Sequence, residues 1–158
     1  MDTIRTAKLL AVPAALFLGS YNLTFSQNVM PHLYNDSAAV LTPLFEKIYH
    51  RGAATILPIA TIAIASNAYL AYESSDYNKR RLYTSAALLV SATLPLTQLV
   101  MKGGIDRLIA ISGDVAAQKQ LGINTEVVEL LKSWAAWNYL RASLHLTGGV
   151  LAFYAALS

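Results

Sequence analysis

The sequence predicts an all-α membrane protein, a four-helix bundle with amphipathic helices in its loops, and three observations predict it. The chain of 158 residues is 55% hydrophobic and only 13% charged, where an ordinary soluble domain carries about 25% charged residues. The charges are gathered into clusters: Asp, Glu, Lys and Arg are absent from 9–35, 52–72 and 82–101, and Arg141 is the single such residue in 133–158. Each of these stretches meets the length of about 20 residues, at a rise of about 1.5 Å each, that crosses the hydrocarbon core of a bilayer. Little chain remains for a soluble unit, so residues 1–158 read as a single transmembrane domain.

The first helix is expected over 7–27. Its apolar part outruns that of a signal peptide and lacks a small-residue cleavage site, so it reads as retained. Residues 28–52 form a loop long enough to fold over the membrane surface, with a short interfacial helix over 40–49. The second helix covers 53–72 and leads into a tight loop, 73–81, carrying Lys79, Arg80 and Arg81. The third covers 82–101. A mixed-charge loop, 102–133, makes two short helices broken at Gly113, and the fourth helix covers 134–157. Pro13, Pro58 and Pro95 fall inside these helices, which lipid-embedded bundles tolerate because neighbours re-satisfy the freed backbone groups. Lys and Arg are nearly balanced between the two sides, and the dense second loop favours cytoplasmic termini.

Several chemistries are excluded or weakened. With no cysteine there are no disulfides, thiolate metal sites or Cys nucleophiles. A net charge of +3 gives no case for nucleic acid. No glycine-rich phosphate loop, His-x-x-x-His motif or local signature of a hydrolase triad occurs. His32 and Asp36 are four apart, as are Glu46 and His50; two histidines with a carboxylate is an iron-site composition. Both pairs sit near the interface and need helical turns to converge, so the expected metal and cofactor set is none.

The fourth helix is the informative one. Trp134, Asn138, Arg141 and His145 follow one another at intervals of four, three and four, which puts them on one helical face. A charge at such depth costs ~2.5–3.5 kcal/mol on insertion scales, and residues of this kind face the bundle interior. Gly148, Gly149 and Ala152 continue near that stripe, and small residues let another helix approach. Because consecutive spans run in opposite directions, Asn22, Ser26, Thr97, Gln98, Trp134, Asn138 and Arg141 fall in one leaflet, while Asn67 falls at the opposite end. The pattern reads as a polar pocket in an apolar bundle, opening toward the first and third loops. The blander alternative has Arg141 reaching the interface along an aromatic belt while Asn138 and His145 tie helices together.

Three stretches resemble a known family: Leu44-Phe45-Glu46-Lys47-Ile48-Tyr49-His50-Arg51-Gly52 leading into the helix with Pro58 and Ser66; Leu94-Pro95-Leu96-Thr97-Gln98-Leu99-Val100-Met101 followed by Leu108; and Trp134 or Trp137 with Asn138 and Arg141. Together they are similar to the fungal anthrone oxygenase family of small four-helix membrane proteins. The resemblance implies oxidation of an anthrone-type polycycle to a quinone by molecular oxygen as co-substrate, within polyketide secondary metabolism. It implies a hydrophobic polycyclic partner in a lipid bilayer, the endoplasmic reticulum membrane in a fungus. On that footing the expected roles are Arg141 for the oxyanion, His145 as base and Asn138 as hydrogen-bonding group. Trp134 or Trp137 would stack on the rings, and Asn22, Thr97 and Gln98 would complete the binding surface. Relatives with another tailoring reaction, or a non-catalytic lipid-binding or scaffold protein, are the alternatives. An enzyme requires a cavity at Arg141; a scaffold requires Arg141 in an ion pair or at headgroups, and an exposed face at Gly148 and Ala152.

Overall fold

The structure is a computed structural model describing residues 3–158. It consists of four long helices: α1 (Thr3–Leu33), α2 (Ala38–Glu73), α3 (Tyr77–Ser112) and α4 (Ile123–Leu157). All four are long and apolar enough to cross a membrane, which makes the chain a multi-pass membrane bundle. α1 and α3 each pack along both α2 and α4, so the helices stand in a square.

The helices outrun the charge-free stretches that predicted them. At 31 to 36 residues each is ~46–54 Å long, well beyond a hydrocarbon core of ~30 Å. The segment 40–49 is therefore not a separate surface helix. It forms part of the first three turns of α2, upright on the bundle. The backbone N–H of Ala38, at the start of α2, donates to Asn124 Oδ1 at 2.7 Å, which ties the start of α2 to the start of α4. Likewise the first half of the 102–133 loop is the end of α3, and its second half includes a single turn at Ala117–Lys119 and the opening of α4. The break at Gly113 stands, as the residue capping α3. Gly122, at φ +82°, turns the chain into α4 in a backbone conformation that side chains disfavour.

These extensions pack as a cap on one end of the bundle. Met30, Leu41, Phe45, Met101, Ile105, Leu108, Val127 and Leu131 form its buried core. Its outside carries the ion pairs Lys102–Asp106 and Arg107–Glu126. The amphipathic character foreseen for the loops is real; it belongs to helix ends.

Within the spans the packing is set by small residues. A Cβ on Gly19 would lie 2.5 Å from Leu146 Cγ, and one on Gly149 would lie 2.7 Å from Leu16 Cδ2. Each glycine thus receives a leucine from the facing helix, and α1 and α4 interlock reciprocally. Gly148 faces α3, where a Cβ would approach the Ala86 carbonyl oxygen to 3.2 Å. At the other end of the bundle Asp76 caps α3, accepting from the backbone N–H groups of Asn78 and Lys79.

Two helices contain a π-helical turn, Phe25–Val29 in α1 and Thr97–Met101 in α3. One precedes Pro31 and the other follows Pro95. π turns of this kind gather at functional sites, and both turns border the cavity described next.

Candidate functional site

All four helices contribute to one apolar cavity beneath the cap, about 140 Å³ in volume. α1 supplies Tyr21, Asn22 and Phe25. One face of α2 supplies Ile48, Tyr49, Gly52, Ala53, Ile56 and Leu57; α3 supplies Thr93, Leu94, Thr97 and Gln98; α4 supplies Trp134 and Arg141. That is smaller than the usual small-molecule site of roughly 300–1,000 Å³, so a polycycle must spread the walls to enter. No acidic side chain lines it.

Arg141 stands in the middle of α4. Its Nη1 donates to Asn138 Oδ1 at 3.0 Å, and its buried Nε has no partner. None of the ion pairs among the described residues involves it. Trp134, two turns earlier on the same face, packs edge-on to Phe45 with ring centroids 5.4 Å apart. Its indole N–H is also buried and unpartnered. Two residues of the cavity wall on one helix thus each keep a buried donor without a partner, and one of them is a cation with no counter-charge.

His145 is fully buried and does not line the cavity. Asn22 Nδ2 lies 3.2 Å from its Nδ1 and 2.9 Å from the Leu18 carbonyl oxygen. Thr93 Oγ1 lies 3.2 Å from its Nε2 and 2.8 Å from the Val90 carbonyl oxygen. One proton arrangement satisfies every contact. The Asn22 amide donates to Nδ1, Nε2–H donates to Thr93, and the Thr93 hydroxyl donates to Val90. A neutral imidazole thus joins α1, α4 and α3 through two residues that do face the cavity. The expected base is therefore set back from the cavity wall, with the lone pair of its ring pointing at Asn22 in this proton arrangement.

Of the other expected site residues, the structure brings Asn22, Thr97, Gln98, Trp134 and Arg141 to the cavity wall. Asn138 lies behind the wall, 1% exposed, and acts on Arg141. Trp137 lines a neighbouring crevice with Leu130 and Ile105, whose wall Trp134 shares, and does not line the cavity. Asn67 is buried at the far end of the bundle. Glu46 and His50 sit 3.9 Å apart on the exposed cap, where Glu46 accepts from Ser112. Among the described residues no three His, Cys, Asp or Glu converge as metal ligands. Sequence reasoning missed Tyr21, Phe25, Tyr49, Gly52 and Thr93. Thr93 lies one turn before Thr97, so its place on that face was available from spacing.

The fold and site together define a multi-pass membrane protein with a buried, donor-lined apolar pocket. The family profile described as anthrone oxygenase matches residues 45–151, more than half of the chain, and the protein belongs to that family. It is 29% identical over 166 residues to anthrone oxygenase encC of Aspergillus fumigatus, across 95% of this chain and 92% of the relative. No solved structure matches it significantly.

Proposed function

We propose that the protein is a membrane-bound oxygenase of polyketide biosynthesis that converts an anthrone-type polycycle and O2 to the quinone and water. One observation carries this reading. Arg141, a cation with no carboxylate beside it, and Trp134 line an apolar cavity, and each keeps a buried donor without a partner, which supports a site for an anionic oxygen on a flat apolar body. The family match points the same way, since the relative is named for that substrate class.

The chemistry suits such a site. Loss of a methylene proton to water at the cavity mouth turns an anthrone into an aromatic anthranolate, whose charge rests largely on oxygen. Donors fixed in a water-poor cavity stabilise developing charge without reorganising. The electron-rich ring carbon then combines with O2, and the peroxide loses water to leave the second carbonyl. The titratable wall residues besides Arg141 are the phenols of Tyr21 and Tyr49. In this reading ionisation is driven by the field of Arg141 rather than by a strong base. Asn138 aims the guanidinium, and the aromatic rings of Tyr21, Phe25, Tyr49 and Trp134 enclose the polycycle. The reading invokes no cofactor, and in a fungal cell it places the protein in the endoplasmic reticulum membrane.

A scaffold role has less support. Gly148, Gly149 and Ala152 are buried between α1 and α3 and leave no small-residue face exposed. The test is quinone formation from dithranol, a dihydroxyanthrone, by the detergent-purified protein. A rate well above the spontaneous one is expected; a rate equal to it, with folded protein, overturns the reading.

A further inference from the structure

We infer that the ligand enters the cavity sideways, from the acyl chains of the bilayer, through a portal between α2 and α3 with Leu57 and Leu94 on its threshold. The occupant is a neutral, planar polycycle dissolved in lipid, and that identity rests on the function proposed above.

Two ends of the cavity are closed. Toward the cap, Met30, Phe45 and Leu131 are essentially inaccessible and form one apolar plug against which Trp134 packs. On the opposite side the cavity ends at the Asn22–His145–Thr93 bridge and the packed residues Leu18, Ala60 and Val90. Of the fifteen lining residues, three are exposed on the outside of the bundle: Leu57, Leu94 and Gln98. All three lie on α2 and α3. Leu57 is 54% exposed and Leu94 40%. They border the cavity and the exterior at once, so the opening lies between them.

Depth decides what that opening meets. Leu57 is six residues inside Arg51 and Leu94 eight residues before Lys102, or about 9 and 12 Å along the helix axes. Both lie in charge-free stretches, in the outer part of the hydrocarbon layer. The mouth therefore faces lipid, and a cation at the same depth waits inside it. Each threshold residue is followed by proline, Leu57-Pro58 and Leu94-Pro95. Proline frees the carbonyl one turn earlier and lets a helix bend, which suits a gap that must admit a rigid polycycle. Gln98, one turn from Leu94 and nearer the headgroups, is the polar rim residue.

The absence of native cysteine makes the test direct. Ala53→Cys places a lone thiol on the cavity wall. In lipid nanodiscs its labelling is followed with N-phenylmaleimide, which partitions into lipid, and with a sulfonated maleimide, which does not. The apolar reagent is expected to react at least tenfold faster after correction against free thiol in detergent. Adding Leu57→Trp and Leu94→Trp should slow it at least tenfold. Equal access for the sulfonated reagent, or no slowing by the tryptophans, overturns the portal. If the double variant folds poorly, Leu57→Cys modified after folding with a bulky maleimide narrows the same gap. Its kcat/KM for dithranol should then fall at least tenfold, with the loss in KM; an unchanged kcat/KM counts against the portal. Failure of the wild-type protein to oxidise dithranol would overturn the functional reading instead, and the labelling rates would still decide the portal.

Discussion

Arg141 donates to the side-chain oxygen of Asn138 on the preceding turn of α4, 3.0 Å away, and finds no carboxylate in the cavity it faces. A cation in the middle of a membrane helix is costly, and one amide oxygen compensates little of that cost. The arrangement makes sense when an anion completes it. Replacing Arg141 with Met removes the charge and keeps much of the aliphatic bulk. Loss of one preorganised oxyanion donor lowers kcat by roughly a hundred- to a thousandfold. The protein should still fold, since no side chain loses an ion pair, although buried Asn138 Oδ1 loses its hydrogen bond at a cost of about 1–3 kcal/mol.

Trp134 and Trp137 separate the two registers that the sequence allowed. Trp134→Phe keeps an aromatic surface and removes the buried N–H, so turnover should fall about tenfold or more, the worth of a hydrogen bond to a charged group. Trp137→Phe, in the adjoining crevice, should leave kcat within about a factor of three, a bound set by the spread of single-residue effects away from a site. Steady-state kinetics on the two variants decide between them.

His145 is assigned to architecture, and the assignment has its own signature. His145→Gln can still accept from Asn22 or donate toward Thr93, so a measurable fraction of activity should survive. His145→Ala removes one hydrogen bond from each partner, leaving Asn22 bonded to Leu18 and Thr93 to Val90, a loss of about 0.5–1.5 kcal/mol each, and opens a cavity in a packed site. Thermal unfolding in detergent should show the Ala variant clearly destabilised and the Gln variant in between. Equal and complete loss of turnover in both, with unchanged melting, would restore His145 as the base.

The interlock of α1 and α4 predicts a purely structural defect. Gly149→Val would drive a side chain into Leu16, whose backbone N lies 3.2 Å from the added Cβ, so the leucine cannot simply swing away. Overpacking of this type costs about 1–3 kcal/mol. The expected readout is a lower melting temperature, with the per-molecule activity of the folded fraction retained.

What the sequence revealed follows from what burial imposes on it. Charge-free stretches located all four spans, because hydrocarbon penalises every charge. The spacing of Trp134, Asn138, Arg141 and His145 located the inward face of α4, because an inward face is a periodic pattern. The leaflet argument placed Asn22, Thr97 and Gln98 with Arg141, and the cavity wall holds all four. The helix ends were less legible. Lys47, Arg51, Lys102 and Arg107 interrupt hydropathy, yet helical periodicity continues through them and builds the cap. Tyr49 illustrates the consequence: taken as part of an interfacial belt, it faces the cavity because α2 continues unbroken through that region. The role of His145 lay beyond any spacing rule, since it depends on Asn22 being 123 positions away in sequence and 3.2 Å away in space.

The most direct test of the central claim is oxygen uptake by the detergent-purified protein given dithranol, followed against the spontaneous rate with wild type and Arg141→Met side by side. Uptake well above background is expected in the wild type, with one O2 per quinone formed, and a rate near background in the folded variant. Uptake by the Arg141→Met protein equal to that of the wild type would contradict it.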